Sequence, residues 1–131
     1  MSTDSSPTAA ERACGEYEHW ASEVRRLTDA IGAVQCPREI PDDDWNARTS
    51  HFAEAADVRI VSGAIPGHDM IERRLTLDEI EQRVGDCWHC RDLVTLIRAR
   101  RYARKQFGIA KRRVRTVGKR VVREQRTGSE R

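Results

Sequence analysis

The most regular pattern in the chain is a heptad-type spacing of apolar residues in its first quarter. Apolar side chains recur at alternating intervals of three and four residues, which places them along one side of an α-helix. They are Ala10, Ala13, Tyr17, Trp20, Val24, Leu27, Ile31 and Val34. Ser6 suits the N-cap, Pro7 the first helical position and Gly32 the end. The pattern predicts a helix to about Ile31 that packs against another helix of the chain or, in a homodimer, against a second copy.

The next third of the chain lacks this regularity. Prolines and an acidic triplet, Asp42 to Asp44, interrupt residues 35–55, which we predict to be a connection with a solvated acidic loop. Residues 58–61 alternate in a way typical of a short strand, which would end before the turn at Pro66 and Gly67. No partner strand is evident from the sequence.

Two helix starts follow. Thr76 and Glu79 have the spacing of a capping box, with Ile80 and Val84 on the inner face of a short helix that ends at Gly85. A second helix is predicted to begin at an Asp86 cap and to end at the Phe107-Gly108 pair, before a last basic helix over about 110–123. The apolar face of the second helix consists of Leu93, Leu96 and Ile97.

These elements predict a mainly α fold, a small helical domain of three to four helices. We expect residues 1–131 to form a single domain with disordered tails at 1–6 and 127–131. Only 38% of the 131 residues are hydrophobic and 34% are charged, so the core should be modest. No apolar run is long enough to cross a membrane, and the N-terminus does not resemble a signal peptide. We therefore expect a cytoplasmic protein, of its organism or of an infected host cell.

The formal net charge of +3 conceals a strong asymmetry. Residues 1–60 carry 6 basic and 12 acidic side chains, whereas residues 91–126 carry 14 basic and only 2 acidic ones. Such a cationic block is typical of a surface that binds phosphates or an acidic protein. The basic residues of the chain are 21 Arg and 3 Lys, and Arg favours bidentate contacts with phosphate and carboxylate groups.

Part of this block resembles the turn and recognition helix of helix-turn-helix proteins. Gly108, Ile109 and Val114 match the glycine and the two apolar positions of that motif, whereas Arg104 stands where the family has a small residue. The resemblance implies contacts with phosphates or base edges from the exposed basic side chains. Our candidates for binding nucleic acid or a partner are Arg100, Arg104, Lys111, Arg112, Arg113, Arg115 and Lys119.

The cysteines suggest a metal site. Cys87 and Cys90 form a C-x-x-C pair at a helix start, close enough to bind one structural Zn²⁺. Cys36 is the candidate third ligand. Candidates for the fourth are Cys14, His51, His68 and His89. The alternative is a set of small buried thiols without metal.

The same pair also resembles the active site of thioredoxin-fold disulfide exchangers. That family places the motif after a buried strand and opposite a later cis-proline. In this chain the motif follows a helix end, and the last proline is Pro66. A thiol-disulfide enzyme at Cys87 and Cys90 is therefore the less favoured alternative.

The histidines form no recognisable catalytic grouping, and no glycine-rich phosphate loop is present, so we do not expect an enzyme. The prediction is a small non-catalytic nucleic-acid-binding or regulatory protein that acts through its Arg-rich C-terminal helices. The alternative is a protein-partner-binding module or inhibitor that uses the same basic surface or the N-terminal heptad helix. The short length, lone C-x-x-C pair and basic C-terminus resemble small phage or prophage regulatory proteins.

Overall fold

A computed structural model of the protein describes residues 8–39, 50–63 and 71–129. The fold is mainly helical, as predicted. The elements in chain order are α1 (Ala9–Ala33), α2 (His51–Asp57), β1 (Arg59–Ser62), β2 (Ile71–Arg74), α3 (Leu77–Arg83) and α4 (Trp88–Ser129). No helix in this described part is long and apolar enough to span a membrane. The predicted tail at 1–6, the acidic triplet at 42–44 and the turn at 66–67 lie outside the described residues.

The chain divides into two compact units. We call the first, formed by residues 1–29 and 99–131, the helix-pair unit. We call the second, formed by residues 30–98, the Cys/His unit. Helices α1 and α4 each contribute residues to both.

In the helix-pair unit, the heptad face of α1 packs against α4 of the same chain. Ala13 and Leu27 are buried. The ring of Tyr17 lies 5.0 Å from that of Phe107, measured between centroids. This face therefore packs against another helix of the chain, one of the two arrangements that the heptad spacing predicts. Thr8 caps the described start of α1, since its hydroxyl accepts a hydrogen bond from the Glu11 N–H at 3.1 Å. The predicted cap at Ser6 and Pro7 lies outside the described residues.

Two alanines of α4 allow this close packing. Ala103 and Ala110 are each only 1% exposed, and the Trp20 ring meets that of Tyr102 edge-on at 5.8 Å. The same face of α4 continues at intervals of three and four residues through Val114 and Val117. Small buried side chains thus set the contact between the two helices, and aromatic pairs flank it.

The break that we predicted at Phe107-Gly108 is wrong. Helix α4 continues for 42 residues, so the turn that a helix-turn-helix motif requires does not exist at Gly108. A glycine inside a helix costs only about 1 kcal/mol relative to alanine. The apolar seam through Ala103, Ala110 and Val117 is continuous across Gly108, so packing outweighs that cost. The helix extends to Ser129.

The Cys/His unit contains the short elements. Strands β1 and β2 form an antiparallel pair in which Ile60 lies opposite Arg73. The sequence identified β1 but not β2, because Ile71–Arg74 is charged and has no buried face. Helix α2 lies in what we predicted to be a connection; its N-cap is Ser50, whose side chain accepts a hydrogen bond from the Ala53 N–H at 3.0 Å. The buried core consists of Ala55, Ile80, Val84, Cys90 and Val94.

Helix α3 confirms the sequence-based prediction in detail. Thr76 and Glu79 form the reciprocal capping box, and Ile80 and Val84 are buried. Gly85 follows with φ of +62°, a left-handed conformation that favours glycine. The next helix begins one residue later than predicted. Cys87, not Asp86, precedes α4, and its carbonyl accepts a hydrogen bond from the Arg91 N–H at 3.0 Å.

Replacing Thr76 with alanine should lower the free energy of unfolding by about 1 kcal/mol, because an N–H at the start of α3 loses its partner. The measurement is denaturant unfolding followed by circular dichroism. Thr95→Ala is a matched control, since Thr95 lies inside α4 and donates to the Arg91 carbonyl. It should change stability by less than about 0.5 kcal/mol. Equal effects of the two substitutions would contradict the capping role.

Candidate metal centre and cationic surface

Four metal-ligating side chains converge in the Cys/His unit. They are Cys36, His51, Cys87 and Cys90, and their ligand atoms all lie within 4.8 Å of one another. The Cys36 Sγ lies 3.0 Å from the His51 Nδ1 and 3.7 Å from the Cys87 Sγ. The cluster could hold a metal ion, as the C-x-x-C pair and Cys36 predicted.

Each ligand is positioned by a recognisable local feature. Cys36 lies three residues after α1, directly before Pro37, in a segment that a helix cannot continue. The Ser50 cap starts α2 and so places His51 at its first residue. The left-handed turn at Gly85 returns the chain toward the core. As a result, Cys87 lies just before α4 and Cys90 within its first turn.

Backbone N–H groups point toward the thiols and stabilise a negative charge there. Burial opposes ionisation of Cys36, but the N–H groups of His51 and Arg38 and the thiols of Cys90 and Cys87 lower its pKa to about 6. Cys90 behaves in the opposite way. Burial raises the pKa of its thiol to about 12. The N–H of Phe52 lowers this pKa, whereas the thiols of Cys87 and Cys36 raise it further. The surroundings thus favour the thiolate form of Cys36 and oppose that of the buried Cys90, which a nearby cation would stabilise.

The distance between two sulfurs of the cluster is close to the one expected around a tetrahedral ion. With Zn–S bonds of about 2.3 Å, two thiolates of a regular tetrahedron lie about 3.8 Å apart. The sulfurs of Cys36 and Cys87 lie 3.7 Å apart, whereas the cluster as a whole has separations from 3.0 Å, between Cys36 and His51, up to 4.8 Å. Four protein ligands would fill the coordination sphere of such an ion, which is the arrangement of structural sites rather than of catalytic ones that retain an open position.

The remaining candidates for the fourth ligand are not part of this cluster. Cys14 is exposed on α1 in the helix-pair unit, so the fourth ligand that the structure brings to the three predicted cysteines is His51. His89 stacks on Trp88 with ring centroids 3.6 Å apart. His68 lies outside the described residues. The one feature that distinguished His51 in the sequence was its place directly after a serine suited to cap a helix.

The arrangement around Cys87 and Cys90 differs from that of disulfide exchangers. The pair follows α3 and a turn, not a strand, and the described part of the chain has no cis peptide bond. All four cysteines are free thiols. The features that would make the pair a thioredoxin-type active site are therefore missing from the described residues.

A second feature is a cationic stripe on α4 in the helix-pair unit. Its members are exposed, and none forms an ion pair with another described residue. They are Arg101, Arg104, Lys105, Lys111, Arg112, Arg115 and Lys119. The stripe lies opposite the buried Ala103 and Ala110, so the packing of α1 leaves it accessible.

The structure separates the predicted binding residues into two groups. Arg104, Lys111, Arg112, Arg115 and Lys119 lie on the stripe. Arg113 instead donates to the Glu16 carboxylate at 2.6 Å, and Arg100 is half-buried. We had not selected Arg101 and Lys105. In a continuous helix, their spacing from Arg112, Arg115 and Lys119 places them on the same face. The predicted break at Gly108 hid this relation.

Comparisons of the chain with protein-family models, with curated proteins and with solved structures find no significant match. The class that the fold and site define is therefore a small helical protein with a Cys3His cluster and a cationic helix face.

Proposed function

We propose that this chain is a non-catalytic nucleic-acid-binding protein that acts through the cationic stripe of α4 and is stabilised by a structural zinc ion. The observation that carries the proposal is the stripe itself. Seven exposed cations share one face of one helix, and no acidic residue occurs between Asp92 and Glu124. Such a density of like charge is self-repulsive unless an anion neutralises it.

Zinc is the metal that best suits the cluster. Three thiols and one imidazole are soft and intermediate ligands, which disfavour Mg²⁺ and Ca²⁺. Tetrahedral Cys3His coordination is a common arrangement of structural zinc. In this role the ion joins the segment after α1, the start of α2 and the start of α4, where the buried core of five residues is small.

The composition of the stripe favours nucleic acid over an acidic protein. Stable protein interfaces depend on a few buried aromatic or aliphatic anchors. An α-helix turns by about 100° per residue. Among residues 101–119, the positions that fall within the arc of the stripe are its seven cations and Gly108. Residues 101–119 of this face thus contain no apolar anchor, and the exposed Val122 lies just beyond them. A surface so dominated by cations is suited to phosphates, for which charge supplies most of the affinity.

Converting Arg112, Arg115 and Lys119 to glutamate should abolish nucleic-acid binding, measured by fluorescence anisotropy with a labelled oligonucleotide at 50 mM salt. The triple variant replaces three cations of the stripe with anions that repel phosphates. A matched control converts Arg25, Arg74 and Arg83, which are exposed and lie off the stripe. Both variants lower the formal net charge from +3 to −3, so a difference between them cannot come from net charge.

The control should retain most of the affinity. Circular dichroism would establish that both variants remain folded. Equal loss in both variants, or no binding by the unmodified protein at 50 mM salt, would contradict the proposed function. Retention of a specific acidic protein after nuclease treatment, together with an absence of nucleic-acid binding, would favour the alternative of a protein-binding module.

A further inference from the structure

The cationic stripe has an internal arrangement that is informative about the shape of its ligand. Two pairs of its members are adjacent in sequence, Arg104 with Lys105 and Lys111 with Arg112. Adjacent residues of an α-helix diverge by about 100° around the axis. Arg104 and Lys111 therefore form one flank of the stripe, and Lys105 and Arg112 form the other.

Between the two flanks lies a middle line with a different composition. Arg101, Gly108, Arg115 and Lys119 occupy it. Gly108 is half-buried, and a Cβ built on it would meet no atom within 4 Å, so there is room for a ligand to approach the helix at that point. The stripe is thus a helix face with a cationic row on each side and an approachable glycine midway along it.

We propose that α4 lies with residues 101–119 in the major groove of a B-form DNA duplex, each flank contacting one phosphate backbone. This inference rests on the proposed function and specifies its ligand. A helix with its side chains is about 10–12 Å across, and the major groove of B-DNA is about 12 Å wide. Nineteen helical residues extend about 27 Å between their end positions, less than the 34–36 Å of one DNA turn.

Two other nucleic acids fit this face less well. The major groove of A-form RNA is deep and too narrow for a helix to enter, so its two backbones cannot receive the two flanks in this way. A single strand offers one row of phosphates and is normally bound with aromatic side chains that stack on its bases. In this segment Phe107 packs against the Tyr17 ring and beneath the Lys111 ammonium group. Tyr102 is exposed, but it lies outside the arc of the stripe and meets the Trp20 ring edge-on.

The test compares binding of the full-length protein to three labelled probes of one sequence, about 18 nucleotides long: a DNA duplex, an RNA duplex and single-stranded DNA. At 100 mM salt we expect the DNA duplex to bind at least about tenfold more tightly than either of the others. In this geometry the four flank cations contact phosphates and the middle line faces the base edges, so log K should fall with log salt concentration with a slope of about −4.

Variants of each flank test whether both backbones are contacted. One double variant neutralises the first flank (Arg104→Gln with Lys111→Gln) and another the second flank (Lys105→Gln with Arg112→Gln). Each should reduce the magnitude of the salt slope on the DNA duplex by about 2. Arg25→Gln with Arg83→Gln removes the same charge elsewhere and should leave the slope unchanged. The groove geometry would be overturned if the RNA duplex or the single strand bound as tightly as the DNA duplex. It would also be overturned if the variant of only one flank changed the salt slope. Either result would leave nucleic-acid binding itself intact. If the protein binds none of the three probes, the proposed function is contradicted as well.

Discussion

Removing the metal from the purified protein should unfold the Cys/His unit. Structural zinc in small Cys/His domains contributes an apparent binding free energy of about 10–16 kcal/mol at neutral pH. The net stability of a whole domain is only about 5–15 kcal/mol. The buried core of this unit is five residues, one of which is the ligand Cys90. We therefore expect a chelator to abolish cooperative unfolding of this unit.

The measurements are native mass spectrometry and hydrogen exchange. The intact protein should carry about one zinc ion per chain. After chelation, the amides around Ile80, Val84 and Val94 should lose their protection, because these residues pack in the core beside Cys90. A protein that contains no metal and keeps its protection in the presence of chelator would contradict the zinc site. It would favour the alternative of buried thiols that need no ion.

Single substitutions distinguish ligands from bystanders. His51→Ala should abolish zinc binding, and it removes no side chain from the buried core, so loss of stability would report loss of the metal. Cys14→Ser is the matched control, because Cys14 is an exposed thiol outside the cluster. It should leave zinc content unchanged and alter stability by less than about 0.5 kcal/mol.

Replacing Gly108 with proline should destabilise the helix-pair unit by about 3 kcal/mol or more. Proline inside an α-helix removes one backbone hydrogen bond and clashes with the preceding turn. Gly108 lies near the middle of the continuous α4, between the buried Ala103 and Ala110. If Gly108 instead began the turn of a helix-turn-helix motif, proline near it would be tolerated much better. Thermal unfolding by circular dichroism measures the difference.

Gly108→Ala is the matched control, with an effect of opposite sign. Nothing lies within 4 Å of the added Cβ, and the residue is in a regular helix, so alanine should stabilise the protein by about 0.5–1 kcal/mol. Gly85→Ala should be destabilising although its Cβ is equally unobstructed, because its φ of +62° is unfavourable for alanine. A neutral effect of proline at position 108 would show that α4 is broken there.

The sequence predicted the parts of the fold that local chemistry determines. The heptad spacing identified α1, and the Thr76–Glu79 pair identified the start of α3 together with its buried Ile80. In each case the residues that decide the structure lie within a few positions of one another. The same holds for Cys87 and Cys90, whose proximity follows from their spacing at a helix start.

The missing parts depended on contacts between distant segments. Gly108 reads as a helix end by its local propensity, and only the packing of Ala103 and Ala110 on α1 explains why α4 continues. Strand β2 forms by pairing with β1, although its own residues are charged and exposed. His51 was one of four open choices for the fourth ligand, because no local pattern reveals which distant residue meets Cys36.

The position of Cys90 in both the cluster and the core affects how long the protein would persist in a cell. Cys90 is 1% exposed, so release of the proposed zinc ion would require the core to open. With zinc bound only by the folded form, each tenfold fall in free zinc lowers the free energy of unfolding by about 1.4 kcal/mol. Proteases act on the unfolded fraction, which rises by the same factor of about ten. Under these conditions zinc supply would govern the turnover of the protein, and its abundance would follow the metal status of the cell.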